Sequence, residues 1–114
     1  MSGMDEGAET TELRRGVLGP CVLALLAERP RFGLELVRDL SRADGLLTSE
    51  GTVYPLLSRL RRDGMVDTTW QESKSGPPRR YYRLTRSGEA AVRSFSDQWQ
   101  LFRNAVDRVL AEEV

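Results

Sequence analysis

Hydrophobic residues recur at helical spacing in four stretches of the chain, and the first of these is apolar on nearly all sides. This stretch, Leu13–Ala27, is typical of a helix that is buried on more than one side. In a chain of this size, we expect a second subunit to supply part of that cover. Pro20 predicts that the helix begins only a few residues earlier, near Gly16 or Val17, because proline is best tolerated in the first turn. Cys21 lies within the run and is interpreted as a small buried hydrophobe.

The second and third stretches predict a pair of helices joined by a short connection. Gly33–Ala43 carries helical spacing through Leu36, Val37 and Leu40. Ser49–Val66 has the clearest amphipathic pattern, with apolar residues at i, i+3, i+4 and i+7. These four residues are Val53, Leu56, Leu57 and Leu60.

The bounds of the third helix depend on its cap. Ser49 is a candidate N-cap, and Asp63-Gly64 is a candidate stop. Pro55 would delete an intrahelical hydrogen bond if the helix began at Ser49, and it fits without loss if Thr52 is the cap.

The outward face of the third helix carries hydroxyls, one aromatic ring and guanidinium groups. Its members are Thr52, Tyr54, Ser58, Arg59, Arg61 and Arg62. Such groups can reach both phosphate oxygens and base edges in the major groove of DNA. A basic outer face is also common on helices that only meet solvent, so this helix alone leaves both interpretations open.

A β-hairpin is predicted directly after this helix. Met65–Glu72 and Arg79–Leu84 have strand character, and Ser73–Pro78 between them is rich in turn residues. Three basic residues, Lys74, Arg79 and Arg80, surround the predicted tip. A hairpin in this position could reach the DNA backbone or minor groove beside the helix, and the alternative is an ordinary surface hairpin.

The last stretch predicts a long helix capped by Thr85 and ending at about Glu112. Its apolar residues alternate at spacings of three and four, which indicates one continuous seam. They are Val92, Phe95, Trp99, Phe102, Val106 and Val109. A seam with three aromatic residues exceeds what so small a domain can cover, so a second subunit is again expected.

Charge is unevenly distributed although the chain has 17 basic and 17 acidic residues. Residues 1–12 carry four acids and no base, and we expect them to form a disordered acidic tail. Residues 29–83 carry eleven bases against seven acids, which places the basic excess on the segment proposed to contact DNA.

Composition also narrows the class of protein. The chain has one cysteine and no histidine, which excludes an intrachain disulfide and histidine-based catalysis or metal binding. We find no nucleophile constellation, phosphate-binding loop or metal-ligand cluster, so the sequence predicts no enzyme activity, cofactor or metal. No apolar run is long enough to span a membrane and the N-terminus is acidic, so a cytoplasmic location is expected.

Several motifs in combination resemble the PadR family of bacterial winged helix-turn-helix transcriptional regulators. They are Gly51-Thr52-Val53-Tyr54-Pro55-Leu56-Leu57, Arg59-Leu60, Asp63-Gly64, Arg80-Tyr81-Tyr82-Arg83-Leu84-Thr85 and Gly88. The resemblance runs from about Arg15 to the C-terminus. One motif is only half kept, since the family commonly opens its second helix with aromatic-Gly-aromatic-Glu and this chain reads Phe32-Gly33-Leu34-Glu35.

The resemblance implies a mainly α (α+β) fold and an assembly. Residues 13–84 would form the winged helix-turn-helix domain with a two-stranded wing, and residues 85–114 the single dimerisation helix of the family's shorter group. The last helix would pack across a two-fold axis, giving a homodimer that binds a pseudo-palindromic operator in double-stranded DNA. The expected DNA-binding residues are Ser49, Thr52, Tyr54, Ser58, Arg59, Arg62, Lys74, Arg79 and Arg80.

The resemblance also suggests an effector. In multidrug-sensing relatives, a tryptophan placed like Trp99 pairs with its dimer mate and stacks flat aromatic compounds, here with Phe95 and Phe102 nearby. Simple core packing of the same residues is the alternative, since Phe95 could fill the space. The predicted function is a dimeric repressor, released by a small aromatic ligand at the dimer interface. A winged-helix module that binds a protein and no DNA is the competing hypothesis.

Overall fold

Four α-helices surround a small antiparallel sheet, in the order helix, strand, two helices, two strands, helix. The computed structural model describes residues 6–43, 46 and 50–112. Helices and strands are α1 (Glu6–Glu28), β1 (Arg31–Phe32), α2 (Gly33–Arg42), α3 (Val53–Arg62), β2 (Val66–Ser73), β3 (Gly76–Leu84) and α4 (Arg86–Glu112). One 3-10 turn, Glu50–Thr52, precedes α3. The predicted mainly α winged helix-turn-helix architecture is confirmed.

The core lies where α1, α2 and α3 meet the inner face of the sheet. All four apolar residues of the α3 pattern are buried, as are the three of α2. The remaining buried hydrophobic residues are Leu18, Val22, Leu23, Leu26, Val66 and Tyr82. Burying each leucine contributes about 1.5–3 kcal/mol, so this cluster holds the helix pair in a fixed orientation.

The first helix is longer than the sequence pattern predicted. It begins at Glu6, with Pro20 in its interior, so the predicted start near Gly16 and the predicted disorder of residues 6–12 are wrong. The additional turns lie along α4, since Leu13 and Val17 line the same groove as Phe102 and Val106. Arg15 pairs with Glu12 at 3.3 Å across one of these turns. Residues 1–5 of the expected tail lie outside the described residues.

The third helix has the bounds that Pro55 requires. The residue at its cap position is Thr52, and Pro55 is the third helical residue, where an N–H has no partner within the helix. The hydroxyl of Thr52 makes no capping hydrogen bond. Ser49, the other candidate cap and an expected DNA contact, lies outside the described residues, as does Leu47.

The end of α3 is a tight, fully bonded turn. The Met65 N–H donates to the Leu60 carbonyl at 2.9 Å and the Gly64 N–H to the Arg61 carbonyl at 3.0 Å, which is the Schellman pattern. Gly64 adopts φ +77°, a left-handed conformation that glycine accepts without strain. The predicted stop at Asp63-Gly64 is therefore confirmed.

The observed wing differs from the predicted hairpin in two ways, since it has a third strand and a shorter turn. A third strand, β1, pairs with β3 through Arg31–Tyr82 and Phe32–Tyr81, giving the order β1-β3-β2. The predicted tip over residues 73–78 is too long, since Ser73 pairs with Gly76 and β3 already begins there. Pro77 and Pro78 fall within the register shift of β2 against β3, where a missing N–H costs no regular ladder hydrogen bond.

A buried arginine forms ion pairs with both α1 and α2. The sequence pattern did not predict this contact. Arg31 is 6% exposed, and its guanidinium lies 2.9 Å from Glu28 and 2.8 Å from Asp39. It also donates to the carbonyl of Leu25, one of the carbonyls left free at the end of α1. A positive charge near the C-terminus of a helix stabilises the helix, so the Arg31 guanidinium stabilises the C-terminal end of α1.

The residue before α4, Thr85, is hydrogen-bonded to the turn that ends α3. The Thr85 hydroxyl accepts from the Gly88 N–H at 3.1 Å, so the predicted cap is confirmed. The same hydroxyl donates toward the Gly64 carbonyl at 2.7 Å, and the Thr85 N–H donates to the Met65 carbonyl at 3.1 Å. The long helix is thereby attached directly to the end of α3.

Two further observations concern the single cysteine and the search for membrane-spanning helices. Cys21 is half-buried, and this burial raises the pKa of its thiol, as expected for a packed sulfhydryl. No helix among the described residues is long and apolar enough to cross a membrane.

Candidate nucleic-acid interface

The exposed face of α3 combines a tyrosine, a serine and three arginines. Tyr54, Ser58 and Arg62 are spaced by four residues and therefore form one line along the helix. Arg61 lies on the same flank as Tyr54, seven residues further on. All four are exposed because the opposite stripe is fixed in the core.

Arg59 occupies the other flank of α3, beside α1. Its guanidinium Nη2 lies 3.8 Å from the position that a Cβ on Gly19 would occupy. This is an ordinary van der Waals distance, so the guanidinium lies alongside α1. Arg59 is exposed, so it can still extend toward a ligand, but from the edge of the α3 surface rather than from its centre.

Tyr54 connects α3 to the start of α2. A Cβ on Gly33 would lie 2.5 Å from Cε1 of the Tyr54 ring and 3.0 Å from its hydroxyl oxygen. The ring therefore packs on the first residue of α2 while the side chain stays 45% exposed. Packing on one face leaves the other face and the hydroxyl available to a partner.

The start of α2 is itself fixed by a carboxylate. Glu35 accepts from the Phe32 N–H at 3.2 Å and pairs with Arg29 at 3.2 Å. This hydrogen bond to Glu35 raises the pKa of the Arg29 guanidinium. The N-terminus of α2 is thus occupied by the protein's own acid. Phe32 itself packs edge-on against Tyr81, with 5.4 Å between the ring centroids.

The basic residues of the wing are held by aromatic rings. The Arg79 guanidinium lies over the ring of Phe32, 4.5 Å from its centroid. Arg80 lies over the Trp70 ring at 5.8 Å, on the opposite face of the hairpin. Such contacts leave the positive charge unneutralised and fix its direction. Lys74 is exposed at the turn.

Ion pairing divides the cations of the described residues into two groups, and the unpaired group is not confined to the candidate surface, since Arg38, Arg86, Arg93 and Arg108 also have no carboxylate within 4.0 Å. Arg29, Arg31, Arg42 and Arg83 form ion pairs with carboxylates. Within the described ranges, Arg59, Arg61, Arg62 and Lys74 have no carboxylate within 4.0 Å. Positive charge that the protein does not neutralise itself is available to phosphate.

A second candidate site is an apolar groove between α1 and α4, with a volume of about 740 Å³. Trp99 is central to its α4 wall, with Phe95 stacked on it at 6.0 Å and Phe102 tilted at 6.2 Å. All three predicted ligand-site residues therefore lie together. Phe95 stacks on Trp99 along one helix, and the groove remains open beside them.

One functional candidate was missed by the sequence pattern, and a second was only partly recognised. Arg61 is exposed like Arg62, and it was placed on the outward face of α3 but not among the expected DNA contacts. Trp70 is 65% exposed on the wing, whereas the strand character of Met65–Glu72 gave it no role beyond the strand. Its cross-strand partner, Arg80, was the available signal, since a cation opposite a large aromatic ring marks a surface pair.

Comparison with known proteins agrees with this surface. Residues 22–94 match the family described as transcriptional regulator PadR-like. The transcriptional regulator Rv3488 of Mycobacterium tuberculosis is 37% identical over 81 residues, which cover 71% of this chain and 74% of that protein.

Solved structures extend the similarity over the whole fold. A PadR family transcriptional regulator from Eggerthella lenta superposes with a TM-score of 0.81 at 34% identity, covering 96% of this chain and 97% of that one. A PadR-like transcriptional regulator from Bacillus cereus gives 0.79 at 30% identity, covering 87% and 96%. Structures of the PadR family are dimeric, and its members are DNA-binding regulators rather than enzymes. This chain therefore belongs to the PadR-like family of transcriptional regulators.

Proposed function

We propose that this protein is a dimeric, sequence-specific repressor in the cytoplasm that binds a pseudo-palindromic operator. The observation that supports this most directly is the set of unpaired cations on α3, placed beside hydroxyls and Tyr54. Arginine and hydroxyl groups on a helix of this size can enter the major groove and contact base edges. The wing then holds the flanking backbone through Lys74, Arg79 and Arg80.

Within this surface, the residues have different roles. Thr52 and Tyr54 lie at the N-terminal end of α3, the part of a recognition helix that contacts base edges, and Ser58 follows Tyr54 one turn later. Arg59 reaches the groove from the flank next to α1 and reads a guanine. Arg62, in the last turn, holds a phosphate. Ser49 belongs to the proposed surface by its position in the sequence.

Arg59→Ala is expected to weaken operator binding by about 1–3 kcal/mol and to affect random DNA less, because only the operator offers the guanine. Fluorescence anisotropy with duplexes selected from the source genome measures both affinities. Arg93→Ala on α4 is the matched control, since it removes an equal exposed charge away from the proposed surface.

Each outcome of this experiment supports a different hypothesis about how, or whether, the protein binds DNA. An equal loss on operator and random DNA would show that Arg59 contacts phosphate only. If the wild-type protein neither binds any duplex nor is retained on heparin at low salt, repression through DNA is excluded. The winged-helix protein-interaction module would then be the better explanation.

A second subunit is proposed to cover the α1–α4 face. About two and a half turns of α4 expose Phe102, Val106, Val109 and Leu110, and α1 exposes Leu13 beside them. An apolar surface this continuous is typical of an interface. Regulators of the PadR family bind DNA as dimers, and two copies present two α3 helices to consecutive major grooves.

The groove around Trp99 is proposed to bind a flat aromatic effector that releases the operator. Indole faces attract planar and cationic molecules. The charged residues that line the groove balance, with Glu12 and Asp107 against Arg14 and Arg103. Stacking on the rings is therefore the feature that would select the effector.

Titration of the Trp70→Phe variant with a panel of aromatic dyes is expected to quench its fluorescence, because Trp99 is then the only tryptophan left. Trp99→Phe is the matched control, in which Trp70 alone reports and should not be quenched. Emission that stays unchanged at micromolar dye would leave the three rings as packing residues. Repression of the operator by the unliganded dimer would be unaffected by that result.

A further inference from the structure

Trp70 is the largest side chain that the wing exposes, at 65%, and neither the fold nor the proposed contacts of α3 account for it. We propose that Trp70 is a further DNA contact of the wing, in which its indole, beside the Arg80 already proposed to hold the backbone, packs against the sugar wall of the groove next to the α3 site. The inference rests on the proposed function and assigns a new contact within it.

The position of this pair follows from the strand register. Val66 pairs with Leu84, Thr68 with Tyr82, and Trp70 with Arg80, so all three pairs lie on the same face of the hairpin. The first pair is in or against the core, and Tyr82 of the second is buried. Trp70 and Arg80 form the next pair outward, where the same face emerges from the core.

The emerging face lies beside the N-terminal end of α3. Phe32 pairs with Tyr81, and Gly33 and Arg80 are the residues that follow in each direction where this pairing ends. Gly33 is in direct contact with the ring of Tyr54. The strand register therefore brings Arg80 and its partner Trp70 to the end of the sheet at which α2 begins and Tyr54 packs.

Charge favours a nucleic acid as the occupant of this surface. The Nε of Arg80 is enclosed and has no hydrogen-bond partner within the described structure, although its guanidinium is oriented by the Trp70 ring. Glu72 is the one carboxylate on the same strand face, and Arg80 together with Lys74 at the turn gives this surface a positive balance. The other wing acid, Asp67, is paired with Arg83 at 2.6 Å.

The side-chain chemistry of Trp70 and Arg80 suits contact with the wall of a DNA groove. Arginine inserted into or beside a narrow minor groove is attracted by its negative potential, and an apolar side chain can pack on sugars or wedge at a base step. An exposed indole also loses apolar surface to water when it packs in this way. The two side chains thus provide charge neutralisation and burial at one position.

Trp70→Ala is expected to weaken binding to a fluorescein-labelled duplex selected from the source genome by roughly tenfold, and Trp70→Phe by less. Gln71→Ala is the matched control, an exposed residue on the opposite face of β2. In a Trp99→Phe background, Trp70 is the only tryptophan, so its emission should shift or be quenched as the duplex binds. Quenching of the Trp70 emission by acrylamide should decrease with duplex concentration in parallel with that change in emission.

Two results would overturn the inference, and they differ from each other. If the duplex binds with unchanged affinity to Trp70→Ala and leaves the Trp70 emission unaltered, the wing surface serves a protein partner instead and the proposed repressor function stands. If no duplex binds to any variant, including the wild type, the proposed function fails together with this contact.

Discussion

Phe102→Asp is expected to convert the protein to a monomer and to weaken operator binding by roughly a hundredfold or more, because the two half-sites are then no longer bound together. Phe102 is 61% exposed in a single chain, so its role in folding one subunit is small. In the proposed dimer it is buried, and an aspartate there would leave an unpaired charge in an apolar interface. Sedimentation equilibrium and anisotropy with a two-half-site duplex measure the two effects.

Asn104→Asp is the matched control for this change. Asn104 lies on the opposite side of α4 from the Phe102 seam, and the substitution introduces the same charge at an exposed position. It should leave assembly intact and alter DNA affinity less than about threefold, as expected for a distant exposed charge. A Phe102→Asp protein that remains dimeric would exclude the α4 seam as the interface. Circular dichroism of that variant should keep its helical signal, which separates loss of assembly from loss of folding.

Gly88→Ala is expected to destabilise the fold by about 2 kcal/mol or more, since a rigid contact must be displaced. A Cβ on Gly88 would overlap the backbone oxygen of Met65 and lie 2.7 Å from Cδ1 of Leu84. Alanine favours a helix over glycine by about 1 kcal/mol, but this gain is smaller than the cost of moving the backbone. The affected contact joins α4 to the end of α3, so DNA affinity should fall as well.

Ser87→Ala provides the comparison for Gly88→Ala. Ser87 is exposed in the same turn of α4, and its change should alter the free energy of unfolding by less than about 0.5 kcal/mol. Chemical denaturation followed by circular dichroism measures both variants. If Gly88→Ala unfolds at the same denaturant concentration as the wild type, α4 is not fixed on the α3 turn in the way described above.

The recognition helix was the part most accurately predicted from the sequence. Its stripe of four apolar residues, the Asp-Gly stop and the constraint from Pro55 all act locally, within one or two turns. Local rules are sufficient where each residue's preference agrees with the fold. The seam of α4 and its Thr85 cap were predicted for the same reason.

Predictions failed where distant contacts override local preference. Pro20 suggested a helix start, yet α1 continues through it to Glu6. The two-residue strand β1 has no period of its own and exists only because β3 offers a free edge. Arg31 belongs to no helix or strand predicted from the sequence, and it is a buried ion-pair centre because the packing of α2 brings Asp39 to it.

The sequence by itself determined the helix pair, the wing, the basic outer face of α3 and the apolar seam of α4, since periodicity and charge are properties of neighbouring residues. Only the tertiary structure decided which side chains meet across elements: Tyr54 on Gly33, Arg80 over Trp70, and Gly88 against the Met65 carbonyl. These contacts join residues far apart in the chain, so their geometry depends on how the core and the strand register fix whole elements relative to one another.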